Sequence, residues 1–341
     1  MAEQLKLAFV GCGAIARFHL NGIAEMAPDI QLTAVVDTME EKTQAYAAET
    51  GATPFASLDE ALEQGDFDAV DIMLPHDLHE EFALRAFAAG KHVLLEKPMA
   101  PTPAGCDRIL AAAREAGTVF MVAENSQYWP EIVKAKELVD AGAIGDILTA
   151  RAGFVMEFDD YWFKEGKPWR YEKQRTGGGI VVDGGAHWIR PMRMWLGEID
   201  EVIAALAHPL DRMEGESLAR ALMRFESGVI AQFDAMMLET FLGPDPWWRI
   251  TGTKGEILVD GGFGGVGGVR LFDAEHRDGL QVLDAHGYEK SFGPEMLDFS
   301  RAVLAGEPLA AGPEQSLGEL RTALAMYRSA ETKCWEKVWA D

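Results

Sequence analysis

Leu7-Ala8-Phe9-Val10-Gly11-Cys12-Gly13-Ala14-Ile15-Ala16-Arg17-Phe18-His19-Leu20 is the stretch that decides the fold. An apolar run that reads as a buried strand meets a glycine-punctuated turn, and helical periodicity begins directly after it. Gly11 suits the tight turn, Gly13 lets a phosphate group approach the backbone, and Ala16 is small enough for a helix to pack closely on a strand. Ala14 and Ile15 open that helix, so its dipole-positive end faces the space above the turn.

The same grammar continues downstream. Apolar runs at 32–36, 69–74, 92–95 and 119–123 alternate with alanine-rich helical stretches at 39–50, 78–89 and 103–116, and Gly51, Gly90 and Gly117 read as helix stops. This order predicts a βαβ series with parallel strands. The second run ends in Val35-Val36-Asp37, which places a carboxylate where it can accept hydrogen bonds from both ribose hydroxyls of a dinucleotide. Asp37 repels a 2′-phosphate, and Thr38-Met39-Glu40-Glu41 offers no arginine to neutralise it, so NAD is expected in preference to NADP. Capping of the next helix by Asp37 is compatible with that role.

After residue 124 the pattern changes. Alternating segments at 147–158, 202–207, 218–225, 229–237, 248–251 and 257–259 predict a largely antiparallel sheet. Helical periodicity returns at 297–305 and 313–330, in helices able to pack back on the N-terminal domain. The expected fold is α/β: a Rossmann domain with a doubly wound parallel sheet over 1–123, then an α+β domain over 124–341 with a large, mostly antiparallel open sheet for substrate binding and oligomerisation. The glycine-rich 261–268 reads as an exposed loop.

Composition narrows the possibilities. A chain of 341 residues, 48% hydrophobic, accommodates two cores. Its net charge of -24 opposes binding to nucleic-acid phosphates and anionic lipid. No apolar run reaches the roughly 20 residues that cross a bilayer, and Met1-Ala2-Glu3-Gln4-Leu5-Lys6 lacks a signal-peptide pattern, so a cytoplasmic protein is expected. Cys12, Cys106 and Cys334 are odd in number and far apart, which reads as reduced thiols. The histidines show no HExxH or other tight ligand spacing, so no metal is expected.

Glu96-Lys97-Pro98 at the end of the run at 92–95 makes the pattern specific. With Leu74-Pro75-His76-Asp77-Leu78-His79, Gly177-Gly178-Gly179-Ile180-Val181-Val182-Asp183-Gly184-Gly185-Ala186-His187 and Ile250-Thr251-Gly252-Thr253-Lys254-Gly255-Glu256-Ile257, nearly the whole chain resembles the Gfo/Idh/MocA oxidoreductases. That resemblance implies that Glu96-Lys97-Pro98 closes against the nicotinamide, that Lys97 reaches the substrate, and that Lys97-Pro98 is a candidate cis bond. It also places Leu74, Pro75, His79 and Asn125 along the cofactor. An ammonium at the carboxyl end of a parallel strand is suited to stabilising a developing alkoxide.

Asp183 and His187 are spaced i, i+4, so on a helix they project from one face. Imidazole is suited to accepting a hydroxyl proton near neutral pH, with Asp183 holding substrate or raising basicity. Arg170 offers a donor fork for hydroxyls or a carboxylate, and Trp162 an aromatic surface for a sugar face. Three positions depart from the family's pattern: His76 stands for a common asparagine, Gln127 for arginine, and Arg190 for aspartate. Pro191 predicts that the helix bearing His187 ends or kinks there.

The expected activity is hydride transfer between NAD and a secondary hydroxyl or ketone of a sugar, inositol or related polyol, in a homodimer or homotetramer. An NAD-dependent glycosidase or lyase with transient oxidation, and a non-catalytic NAD-binding regulator, are the alternatives.

Overall fold

The computed structural model describes residues 4–157, 168–240, 243, 246–261 and 267–340. Its contacts divide the chain into two compact units. The first runs through Glu124 and takes in Phe292–Leu317; the second comprises Asn125–Ser291 and the chain from Gly318 onward.

In the first unit, β1 (Leu5–Val10), β2 (Ile30–Val36), β3 (Thr53–Phe55), β4 (Ala69–Ile72), β5 (His92–Glu96) and β6 (Phe120–Ala123) form a six-stranded sheet in the order β3-β2-β1-β4-β5-β6. Every pairing is parallel. Leu7, Phe9, Val35, Val70, Ile72, Val93 and Leu94 are buried, because a parallel sheet covered by helices on both faces leaves no wet side. The helices are α1 (Ala14–Met26), α2 (Glu40–Thr50), α3 (Leu58–Gln64), α4 (His79–Ala88) and α5 (Pro103–Ala116). All strands run one way, so their carboxyl ends share one edge, and the strand order reverses between β1 and β4. Ligands of doubly wound sheets bind at such a switch point.

In the second unit, α6 (Pro130–Asp140) and α7 (Lys173–Thr176) accompany a sheet built from β7 (Ile147–Glu157), β8 (Ile199–Ala207), β9 (Leu218–Phe225), β10 (Ile230–Leu238), β11 (Trp248–Gly252), β12 (Gly255–Gly261), β13 (Gly267–Asp273), β14 (Leu280–Asp284) and β15 (Glu336–Lys337). Among the described residues these nine strands lie in the order β14-β13-β12-β11-β7-β10-β9-β8-β15. Seven pairings are antiparallel, whereas β7 and β10 run parallel. Along β10, Ala231, Phe233, Ala235 and Met237 are buried on one face, and Ile230 and Gln232 alternate on the other.

The fold class is as expected, with local differences. β3 was not anticipated, since three residues carry too little periodicity, and α6 was missed as well. Gly267 and Gly268 sit in β13 rather than in a loop, while 262–266 lie outside the described residues.

Pro191 does not end its helix: α8 (Ala186–Leu196) continues one turn beyond it. An interior proline costs about 3 kcal/mol. The helix buries Trp188, Ile189, Met192 and Trp195, and such side chains are worth about 1.5–3 kcal/mol each, so packing outweighs the break.

Of the two late helices, α9 (Phe292–Ala305) packs on α1 inside the first unit, with the Phe18 and Phe292 rings stacked at 5.3 Å. The other, α10 (Leu317–Thr332), lies in the second unit apart from its first residue.

Candidate active site

The candidate residues form one cluster in each unit. In the first, Gly11 leaves β1 with φ +101, and its N–H donates to the Val36 carbonyl at 2.8 Å. A Cβ at Gly11 would collide with the Met73 carbonyl, so this turn admits only glycine. Gly13 is different. It caps α1 in an extended conformation, and a Cβ there would meet nothing within 4 Å.

No side chain caps the start of α1, and its first turn, from Ala14 and Ile15, has no acidic residue. Open space before unfilled N–H groups at a helix start fits a pyrophosphate. Asp37 follows β2. Its Oδ2 accepts from the Cys12 N–H and its Oδ1 from the Met39 N–H, each at 2.9 Å, so the carboxylate is anchored beside the turn. It does not cap α2, whose N-cap is Met39. The remaining lone pairs suit ribose hydroxyls. Burial, with Asp37 next in effect, pushes the Cys12 thiol up to about 12, which keeps it an inert packing group.

Leu74 and Pro75 follow β4, Glu96 ends β5 and Lys97-Pro98 follows it, with a cis bond between Lys97 and Pro98. His79 ties the two segments. Its Nδ1 lies 2.8 Å from the Pro98 carbonyl and its Nε2 2.8 Å from that of Leu74. Burial pushes its pKa down against both carbonyls, so a neutral ring donates to one at a time. Its ring is thus committed to the backbone. The Glu96 carboxylate turns back to accept the Lys97 N–H at 3.0 Å.

In the second unit, Asp183 does not lie on a helix. The chain makes turns from 180 to 185, and His187 stands in the first turn of α8. The run of glycines explains this. A Cβ at Gly179 would overlap the Glu216 backbone, so the segment is pressed against its neighbours rather than coiled. Glu216 Oε1 accepts from the Val181 N–H and from the Tyr327 hydroxyl, both at 3.0 Å, and Tyr327 Oη accepts the Gly179 N–H at 3.1 Å. These two clamps were missed, since a lone Glu and a lone Tyr far along the chain carry no local signal.

Arg170 Nε donates to Asp183 Oδ2 at 3.0 Å, and its guanidinium lies 4.4 Å from the centre of the Trp169 ring. The His187 ring is buried beside Trp129 and Tyr288, with centroids 6.2 and 6.4 Å away. Asn125 Nδ2 donates to Ser291 Oγ at 2.8 Å. Trp162 lies outside the described residues.

The departures at 127 and 190 form one arrangement. Arg190 donates through Nε and Nη2 to Gln127 Oε1 at 3.3 and 3.0 Å, and through Nη1 to Glu319 Oε1 at 3.4 Å. Glu319 also receives Arg193, whose Nη2 reaches Glu198 at 2.7 Å.

A glycine turn and an open helix start after β1, with an anchored carboxylate after the neighbouring β2, fit the class of dinucleotide-binding Rossmann domains. Residues 5–124 match the oxidoreductase family with the NAD-binding Rossmann fold, GFO_IDH_MocA, and residues 132–258 match the GFO/IDH/MocA C-terminal domain. The chain belongs to the Gfo/Idh/MocA family. It is 30% identical to 1,5-anhydro-D-fructose reductase of Ensifer adhaerens over 95% of each chain. To dTDP-3,4-didehydro-2,6-dideoxy-alpha-D-glucose 3-reductase of Streptomyces violaceoruber it is 31% identical, over 96% of this chain and 93% of the relative. An oxidoreductase of Thermotoga maritima superposes with a TM-score of 0.85 at 28% identity, covering 98% of both chains.

Proposed function

We propose that the protein interconverts a secondary hydroxyl and a ketone on a sugar, inositol or related polyol, with NAD preferred over NADP. The observation that carries the substrate class is near full-length similarity to two reductases named for sugar ketones. The preference for NAD rests on Asp37, which the Cys12 and Met39 N–H groups hold in place and which no following arginine neutralises. Gly11, Gly13, Ala14, Ile15, Asp37, Leu74, Pro75, Glu96 and Asn125 hold the cofactor; His79 serves it by fixing the backbone of Leu74 and Pro98. When bound, NAD supplies the hydride acceptor, or NADH the donor.

The chain's own residues manage the proton and the charge. The His187 imidazole accepts the hydroxyl proton in oxidation and returns it in reduction. The Lys97 ammonium stabilises the oxyanion. Asp183, oriented by Arg170, accepts hydrogen bonds from substrate hydroxyls, and Trp162 adds a face for the ring. Purified protein, NAD and a panel of sugars, inositols and sugar acids test the reading by absorbance at the NADH band. Stoichiometric accumulation of NADH supports it; turnover without net NADH identifies transient oxidation instead.

A homodimer or homotetramer goes with this reading. Leu222 on β9 and Ile230 on β10 are 45% and 41% exposed, and the register sets them diagonally on one face of the sheet. Light scattering at micromolar protein checks it, and a mass of one chain overturns it. No helix of the described residues is long and apolar enough to cross a membrane, and a cytoplasmic site of action is part of the same proposal.

A further inference from the structure

His19 is fully buried on α1, with three carboxylates from three other elements around its ring. Nδ1 donates to Asp71 Oδ2 of β4 at 2.7 Å, Nε2 faces Glu96 Oε1 at the end of β5 at 3.2 Å, and Glu295 Oε2 of α9 lies 3.9 Å from Nε2. Asp71 sits inside the sheet, registered against Phe9 and Leu94. Its Oδ1 and both oxygens of Glu295 have no hydrogen-bond partner. Among the described residues no group of His, Cys, Asp and Glu is arranged to hold a metal ion. So dense a set of ionisable groups in a core is costly unless the charges are matched.

Glu96 links the cluster to the turn that follows β5. Glu96 Oε1 meets His19, and its Oε2 accepts the Lys97 N–H. We propose that His19 is a positioning residue for Lys97, acting through Glu96: the ring, held by Asp71, fixes the direction of the Glu96 carboxylate, which fixes the turn that presents the lysine. This deepens the role proposed above for Lys97 and rests on it.

Protonation supports the geometry. Burial pushes the His19 ring toward neutrality, but the pull of Asp71, the hydrogen bonds to Asp71 and Glu96, and the charge of Glu295 outweigh it and raise its pKa well above 6.5. Glu295 is pushed up by burial and by Glu96, Glu124 and Asp71, against the pull of His19. Asp71 is also raised, by burial first and by Glu96, with His19 opposing.

Two substitutions of His19 separate positioning from packing. Asparagine carries its amide nitrogen where Nδ1 stands and keeps the bond to Asp71; glutamine reaches the place of Nε2 and keeps the bond to Glu96. The readout is the rate at which formaldehyde and a borohydride methylate Lys97, read by peptide mass spectrometry against exposed Lys254. His19→Asn is expected to change the Lys97 rate at least threefold, with His19→Gln within twofold of the unmutated protein. Equal rates in both variants, changed or not, overturn the proposal.

If His19→Asn does not fold, ¹⁵N-histidine spectra of the unmutated protein decide. The His19 ring should carry two protonated nitrogens at pH 8, and a singly protonated ring there overturns the proposal. Failure of the catalytic role itself shows separately, as undiminished turnover in Lys97→Met.

Discussion

Arg190 and Gln127 are hydrogen-bonded side chain to side chain in the interior of the second unit, two guanidinium nitrogens on one amide oxygen. Arg190 stands three residues after His187, so the contact pins the helix that bears the proposed base. Breaking a buried charged pair costs about 3–5 kcal/mol, and Arg193 still serves Glu319, so Arg190→Met is expected at the low end, about 3 kcal/mol. Gln127→Leu should cost about 1–3 kcal/mol for the Arg190 donors it strands. The double variant should lose less than the sum, as contacting residues do. Urea unfolding of the four proteins measures this, and strict additivity would show that the contact carries no energy.

Gly11 and Gly13 should fail differently. Gly13→Val places its side chain in open space, so the variant should unfold near the temperature of the unmutated protein while losing NADH binding. Gly11→Ala meets the Met73 carbonyl at positive φ and should be destabilised by more than about 1 kcal/mol. Calorimetry and NADH fluorescence titration check both. Unchanged NADH affinity in folded Gly13→Val removes this turn from the cofactor site.

NADH should bind at least about tenfold more tightly than NADPH, a difference of about 1.4 kcal/mol. Asp37→Ser with Thr38→Arg should narrow or reverse that ratio. It should also cost about 1 kcal/mol of stability, because the Cys12 and Met39 N–H groups lose their acceptor. Equal affinities in the unmutated protein, indifferent to Asp37, would make the carboxylate a turn-former alone.

On a substrate found by the screen, His187→Ala should lose about 10²- to 10⁴-fold in turnover and Lys97→Met about 10²- to 10³-fold, with NADH affinity within a few-fold. Higher pH should partly rescue His187→Ala, since hydroxide replaces a missing base, and should do little for Lys97→Met. Losses below tenfold are too small for these roles. Because both groups act on one hydroxyl, the double variant should lose less than the product of the single effects.

Stability should fall as pH rises above neutrality. His19 and Glu295 both have raised pKa values in the folded protein, so the native state holds more protons than the unfolded chain. The His19 contribution is complete below about 6.5 and is lost as pH climbs through its folded value. That of Glu295 declines from the ordinary carboxylate range upward. Urea midpoints should therefore drop between pH 6.5 and 9, and Glu295→Gln should flatten the slope. A midpoint that climbs across that window contradicts the protonated cluster.

The β1-α1-β2 part of the first unit was legible from sequence because its signals are local: an apolar run, Gly11 and Gly13 in a turn, helical periodicity, and Asp37 at the end of the next strand all lie within one βαβ stretch. Glu96-Lys97-Pro98 and the glycines before His187 were legible in the same way, as unbroken strings. The sequence alone also determined the change from parallel to mostly antiparallel strands, since burial on both faces and burial on one face leave different periodicities.

Other features were decided by tertiary contact. Asp71 passes for one polar residue in an apolar strand until the fold brings His19, 52 positions away, and Glu295 against it. Asp183 and His187 share a helical spacing, yet glycines pressed against Glu216 put Asp183 in a turn instead. Pro191 reads as an end or a kink, and burial of the flanking aromatic and aliphatic side chains carries the helix through it to Leu196. Spacing along a chain records which residues are able to share a face. Whether a buried carboxylate finds its counter-charge, or a proline is overridden, depends on groups that meet only after the chain has folded.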